Sequence, residues 1–397
     1  MITIGGYSAA APLLLVTEYP ASVGGGGAVI LRSLLADVPR ETLLWASLTR
    51  DDKGARQDAT LVKGSARLGS LLGRQSPTVD ALLAGQLADE IRALAAARGA
   101  RAIWIILHGA MVHVAARLLA HKTLPVHLTV HDDPPFGVAL QSRRHVALVP
   151  LLERDLGYAL KRADSIDVIS DGMATRYRQR FGVESVVVHR GLTGPVAAHA
   201  AHVADGVLDV GVMGNTYGYS QLPLLAQAVA EAAGALSLRP RVTVVGKGLG
   251  ERLRDEFAGR VEVEPTGHLD EARAVERLSR CFALYLNYPF SARAAVLRQT
   301  SFPTKLSSYL LAARPLLAHA PRDSSIAPLE RLGGFVTWWA SERPSDGAAA
   351  LRDLWRQPAA HESQHVVAEA QRARLYDLAT NRAKLFGALE ALVTKRS

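Results

Sequence analysis

Apolar and polar positions along this chain repeat one phrase: a short apolar run, a turn, then apolar residues at helical spacing. Leu13 to Thr17 (LLLVT) is the first such run. A glycine-rich loop follows, and then AVILRSLLADV at helical spacing. Ala102 to Leu107, Pro125 to Val130, Asp164 to Ser170 and Ser185 to His189 read as further strands. Helices are expected over Leu82 to Ala97, through Val112, Ala115, Ala116 and Leu119, and from Asp171, which is the expected cap. From Leu208 the phrase restarts. Strands are expected at Leu208 to Met213, Arg241 to Val245, Val261 to Glu264 and Phe282 to Leu286, with helices at Ser220 to Ala235 and Asp270 to Arg280. The tail, Pro358 to Val393, reads as two helical segments joined near Asn381, and residues 51 to 80 carry no clear period.

The most structured stretch is Ser301 to Ala320 (SFPTKLSSYLLAARPLLAHA). Pro303 suits a first helical turn, where its missing N–H costs nothing. Leu306, Tyr309, Leu310 and Ala313 fall at i, i+3, i+4 and i+7 and make one apolar face. Arg314-Pro315 ends the helix, and Leu316-Leu317-Ala318 reads as a core strand. Lys305 is therefore expected in the first turn, facing away from the core. Backbone N–H groups and the positive end of the helix dipole converge there, so the position suits a phosphate.

Two similar α/β halves predict a two-domain protein of doubly wound parallel sheets. The expected boundaries are 1–190 for the first domain, 191–207 for a linker, 208–375 for the second domain and 376–397 for a terminal helix that packs back on the first domain. A length of 397 residues at 49% hydrophobic content supports two cores. No apolar run reaches the roughly 18 residues of a membrane span. The opening stretch lacks a basic leader and is broken by Pro12 and Glu18, so no signal peptide is expected. Cys281 is the only cysteine. That fits a reducing, cytoplasmic setting. Forty-six Lys and Arg against 37 Asp and Glu give +9, which favours acidic partners. Specific nucleic-acid recognition is disfavoured, because the basic residues are scattered. Arg176, Arg178 and Arg180 with Lys161-Arg162 form one basic cluster that suits a membrane face or plain solvent.

Strand, Gly24 to Gly27 and helix make the start of a Rossmann-type half, without the spaced glycines of a dinucleotide fingerprint. "Strand-His108-Gly109, helix, strand-His131-Asp132" follows. Then come Gly246-Lys247-Gly248, Gly267-His268 and Phe302-Pro303-Thr304-Lys305. In this order the chain resembles the GT-B glycosyltransferases, especially retaining family four. The resemblance implies two Rossmann-like domains facing each other across a cleft. It implies transfer of a hexosyl-type sugar from a nucleotide-diphosphate sugar to an acceptor hydroxyl, with retention, in glycan or glycoconjugate synthesis. No metal and no cofactor beyond the donor substrate are expected. His131 and Lys305 carry over as catalytic, with Asp132 placed to fix the His131 tautomer. Gly25, Gly26, Gly27, Gly214, Asn215, Gly246, Lys247, His268, Arg298, Pro303, Thr304 and Ser308 carry over to the donor, and His108 and Asp132 to the acceptor.

The departures are specific. Asn215 and Ser220 stand where the family usually has an arginine and a lysine for the diphosphate. Thr300 and Ser308 stand where it has two glutamates, the second of which binds the nucleotide ribose. Lys247, Arg293 and Arg298 could restore the lost charge. These departures keep two alternatives open: a non-catalytic GT-B partner of an active transferase, and a sugar-nucleotide epimerase.

Overall fold

The computed structural model describes residues 13–18, 26–38, 43–48, 60–61, 77–109, 111–141, 143–192, 194, 196, 206–214, 220–331, 335–357 and 364–394. The chain divides into two compact units, Met1–Gly191 with Leu378–Ser397, and Leu192–Asp377.

In the first unit the strands are β1 (Leu13–Thr17), β2 (Leu43–Ser47), β3 (Thr60–Leu61), β4 (Ala102–Ile106), β5 (Val126–Val130), β6 (Ser165–Val168) and β7 (Val186–Val187). They pair in the order β3-β2-β1-β4-β5-β6-β7, and every described pair is parallel. The helices are α1 (Gly26–Leu34), α2 (Pro77–Ala97), α3 (Met111–Ala120), α4 (Pro134–Gln141), α5 (Val149–Arg162) and α6 (Asp171–Phe181). In the second unit β8 (Val207–Met213), β9 (Arg239–Val245), β10 (Glu262–Gly267), β11 (Ala283–Asn287), β12 (Leu316–His319) and β13 (Val336–Trp339) pair as β10-β9-β8-β11-β12-β13. Its helices are α7 (Gln221–Leu236), α8 (Leu249–Glu256), α9 (Glu271–Leu278), α10 (Ala295–Thr300), α11 (Lys305–Ala312), α12 (Pro344–Trp355) and α13 (Gln364–Tyr376). The last helix, α14 (Leu378–Thr394), belongs to the first unit. Both sheets run out in one direction from their first strand and then restart on its other side. The reversal points lie between β1 and β4 and between β8 and β11. The carboxyl ends of those strands are where open α/β sheets bind ligands.

Strands β1, β4 and β5 are buried at every position, as a parallel sheet covered on both faces requires. Polar residues inside them are hydrogen-bonded, which offsets their desolvation. Trp104 Nε1 donates to Thr129 Oγ1 at 2.7 Å, and His127 Nε2 meets Asp167 Oδ1 at 2.6 Å.

Several local expectations shift. Helix α6 is capped by Ser170, whose hydroxyl accepts from the Met173 N–H at 3.0 Å, and Asp171 is the first helical residue. The tail breaks at Asp377 rather than Asn381. Asn381 is buried inside α14, and its Oδ1 accepts from the His189 N–H at 2.9 Å. Leu192 and Val196, in the stretch read as a linker, are buried in the core of the second unit, because their apolar side chains find cover there. Arg178 pairs with Glu184 and Arg180 with Glu153, so two of the five cations of the basic cluster are compensated by carboxylates.

Helix α11 is pinned at the second reversal point by one hydroxyl. Tyr309 is fully buried; its OH accepts from the Met213 N–H on β8 and donates to the Tyr285 carbonyl on β11, both at 2.9 Å. A Tyr309→Phe substitution strands both backbone groups at once. We expect it to lower stability by about 1–3 kcal/mol, read as a lower urea midpoint at unchanged m-value.

Candidate functional site

In the second unit, the three neighbouring strands β8, β9 and β10 all run out into glycine. Gly214, Gly246 and Gly267 have φ values of 67°, 143° and 68°, a region that favours glycine. They are chained through the backbone: the Gly214 N–H donates to the Val245 carbonyl at 2.8 Å and the Gly246 N–H to the Gly267 carbonyl at 2.9 Å. The carboxyl edge of this half of the sheet is therefore bare main chain. Lys247 and His268 follow two of these glycines and are exposed. Asn215 lies outside the described residues.

Beside that edge is α11. It begins at Lys305 with Thr304 at its cap position, so Pro303 precedes the helix instead of occupying its first turn. The Leu306 N–H turns back onto the Pro303 carbonyl at 3.0 Å and the Ser307 N–H onto the Thr304 carbonyl at 3.3 Å, so these two amides are used locally. Lys305 does not face solvent as expected: it is only 9% exposed. Burial lowers its pKa to about 8 from 10.5, because an ammonium loses its hydration there. A bound anion would restore what burial removes.

Ser308 is buried one turn further on the same helix, and its hydroxyl donates to Glu271 Oε1 at 2.8 Å. Glu271 opens helix α9 and is exposed. A carboxylate thus stands beside the position where the resembled family carries one, delivered from a different helix. Arg298, one candidate for the missing charge, is spent elsewhere. Its guanidinium is bidentate to Asp323 at 2.7 and 2.9 Å and donates to the Ser291 carbonyl at 2.9 Å. Arg293 is exposed.

In the first unit, the reversal point carries a carboxylate-imidazole pair. Glu18 follows β1 and His108 follows β4, and His108 Nδ1 meets Glu18 Oε2 at 2.8 Å. The glutamate side chain is 6% exposed and the histidine side chain 58% exposed. The hydrogen bond to Glu18 raises the His108 pKa above 6.5, against the opposing effect of burial; the nearby Asp132 charge adds to the rise. Gly109, at φ 50°, is a position where a Cβ would collide with the Glu18 carboxylate.

His131 ends β5 and is biased the other way: burial lowers its pKa, and the charges of Asp167 and Asp132 only partly oppose that. Its Nδ1 lies against Gly27 in the first turn of α1, where a Cβ would come within 2.7 Å. Asp132 is exposed and makes no hydrogen bond to His131, so it does not fix that tautomer; the paired histidine is His108. Gly25 lies outside the described residues, and Gly26 opens α1. Sequence reading placed Tyr309 on the apolar face of its helix and gave Glu18, Glu271 and Tyr309 no role in a site. Among the described residues no three His, Cys, Asp or Glu side chains gather as a metal site, and no helix is long and apolar enough to cross a membrane.

No family model and no curated protein matches this sequence. Solved structures do. HepE of Anabaena, in complex with UDP-glucose, is 15% identical over 96% of this chain and 100% of its own, with a TM-score of 0.62. Sucrose-phosphate synthase of Thermosynechococcus elongatus is 13% identical over 98% of this chain and 100% of its own, with a TM-score of 0.68. A UDP-forming trehalose-phosphate synthase from Burkholderia xenovorans is 14% identical over 96% and 99%, with a TM-score of 0.60. The fold is GT-B. At these identities the likeness is one of architecture, and the GT-B chain's own residues must carry any chemistry.

The buried lysine has a measurable cost. Its pKa is lower folded than unfolded, so the unfolded chain binds the extra proton between about pH 8 and 10.5. Stability therefore rises with pH across that window and is most penalised below it. We expect Lys305→Met to be more stable than wild type at neutral pH, with the gap closing towards pH 10.5, as read by urea unfolding at a series of pH values.

Proposed function

We propose that this GT-B chain is a glycosyltransferase that moves a sugar from a nucleotide-diphosphate donor to an acceptor hydroxyl of a glycan or glycoconjugate. The observation that carries the reading is the buried Lys305 ammonium at the start of α11, the helix that Tyr309 ties to the end of β8 at the sheet reversal point, where Gly214 follows. A diphosphate leaving group gains charge as its bond to the anomeric carbon breaks. A preorganised, poorly hydrated cation favours that state over the ground state.

Gly214, Gly246, Gly267, Lys247 and His268 line the donor side in this reading, with Thr304 and Pro303 at the helix entry. The Ser308 and Glu271 pair stands ready for nucleotide hydroxyls, since a carboxylate accepts from them strongly. In the first unit His131, which burial biases towards the neutral ring, carries the catalytic role that the resemblance implies, and His108 and Asp132 serve the acceptor. Lys305 meets the diphosphate charge without a metal ion, and the step retains anomeric configuration, as the resemblance implies. Complexes of HepE with UDP and with UDP-glucose make uridine sugars the first donors to try.

A thermal-shift screen against nucleotides and nucleotide sugars tests the binding half, because a ligand stabilises the state it binds. We expect a uridine or related nucleotide sugar to raise Tm. We also expect Lys305→Met to abolish that rise while cutting turnover about 100-fold, the usual consequence of losing one such charge contact. Binding without turnover by the wild-type chain would instead favour the non-catalytic GT-B partner. Within the donor site, Lys247→Ala should weaken nucleotide binding, measured by calorimetry. Arg298→Ala should lower Tm instead, because it breaks the ion pair with Asp323.

A further inference from the structure

Helix α9 of the second unit has a thin apolar hold on its sheet: of its eight residues, Ala274 and Leu278 are buried. A polar grip supplements it through Arg277, whose guanidinium reaches three adjacent strands. Nη2 donates to Thr243 Oγ1 on β9 at 2.6 Å and meets Asp209 Oδ2 on β8 at 3.2 Å, and Nε donates to Glu264 Oε1 on β10 at 3.0 Å. Asp209 is buried and also accepts from Thr243 Oγ1 at 2.8 Å. Gly211 on β8 lets the end of the helix come close, since a Cβ there would lie 2.8 Å from both Cys281 Sγ and Leu278 Cδ2. These are the three strands that run out into Gly214, Gly246 and Gly267. The opposite end of α9 carries Glu271, which packs beside α11 and accepts from Ser308 Oγ at 2.8 Å. Ser308 lies one turn beyond Lys305. A carboxylate has about four acceptor sites, so an exposed glutamate serves Ser308 and further donors together.

We propose that Arg277 is a positioning residue of the nucleotide site: its fork fixes the tilt of α9 on the sheet and so sets where the Glu271 carboxylate meets the nucleotide ribose. This rests on the donor reading above, in which Glu271 accepts from nucleotide hydroxyls, and adds the residue that aims it. All the groups involved belong to the second unit. A short helix held at one end by two buried apolar side chains is free to pivot unless something fixes its angle. Arg277 does so because a planar guanidinium presents its donors at set directions, and here they are spread over three strands. A lysine would still neutralise the buried Asp209, but as a point charge on a flexible stem it would not set an angle. Aim matters at Glu271 because hydrogen bonds weaken steeply as their angle closes towards about 120°. Diphosphate contacts made from α11 and the strand ends do not depend on the tilt of α9.

The test is calorimetric affinity of the purified full chain for UDP, GDP and ADP, each beside its 2′,3′-dideoxy form. Wild type is compared with Glu271→Gln, Arg277→Lys and the double variant. For the nucleotide it binds, wild type should prefer the ribose form by about tenfold or more, the usual worth of a hydrogen bond to a charged group. Glu271→Gln and Arg277→Lys should each lose most of that preference while affinity for the dideoxy form stays near wild type. The double variant should lose no more than either single one, because both act at one contact. Glu264→Gln loosens the same clamp from its open side, where the glutamate side chain is 41% exposed, and should lose part of the preference even if lysine at position 277 does not fold. A wild-type ribose preference in Arg277→Lys and Glu264→Gln overturns the proposal, as do equal losses for both nucleotide forms or additive losses in the double variant; in these cases the donor reading stands. A wild type that binds ribose and dideoxy forms alike overturns it too and leaves the diphosphate contacts intact. Absence of binding to every nucleotide removes the donor reading, and the role of Arg277 with it.

Discussion

The second unit hangs on the Tyr309 hydroxyl. It closes two backbone hydrogen bonds that face each other across the reversal of the sheet, one on β8 and one on β11. Strand ends at such a point diverge, and a side chain that reaches both fixes the helix that carries it. Lys305 lies one turn before Tyr309 on the same helix, so the place of the ammonium is set by a buried phenol four residues away. Gln221 and Asn287 do similar work on the neighbouring helix. Asn287 donates to Gln221 Oε1, and Gln221 donates to the Tyr288 carbonyl at 2.9 Å, which seats the start of α7 on the end of β11.

The first unit uses the same sheet geometry for a different electrostatic result. Two histidines stand at the ends of adjacent strands, β4 and β5, yet their surroundings push them in opposite directions. A carboxylate holds His108 towards the charged form, and burial holds His131 towards the neutral one. Neighbouring titratable groups driven apart in this way are able to take different roles at a single pH. Gly27 contributes by being small: the His131 ring rests against the first turn of α1, where a side chain would displace it.

Much of the fold was legible because its strands are continuous apolar runs, which a sheet covered on both faces demands. LLLVT, AIWII and ALYLN could hardly be anything else. Strands β2 and β13 were less visible: LLWAS and VTWW are only partly buried. Helices α4, α5 and α12 were masked by Pro134, Pro150 and Pro344, which look like breakers but sit in first turns, where the missing N–H does no harm. For the candidate site, position in the chain marked Lys305, His108 and His131. Burial of Lys305 was hidden, because a lysine in a first turn reads as solvated. Glu18 and Glu271 left no local trace. Glu18 meets its histidine 90 residues along the chain, and Glu271 meets Ser308 after 37, so only the folded sheet reveals either pairing.

The order in which the chain visits its two units bears on how it is made. The second unit is one unbroken stretch whose ends already meet, since the Leu192 N–H donates to the Tyr376 carbonyl at 2.8 Å. The first unit is discontinuous. Helix α14, with Leu385, Leu389 and Leu392 buried and Asn381 bonded to the backbone of His189, lies downstream of the whole second unit. During synthesis the half begun earlier is therefore completed later. Its sheet must wait, partly uncovered, while the ribosome delivers an entire separate unit, and that interval is when a chaperone or an aggregate would find it.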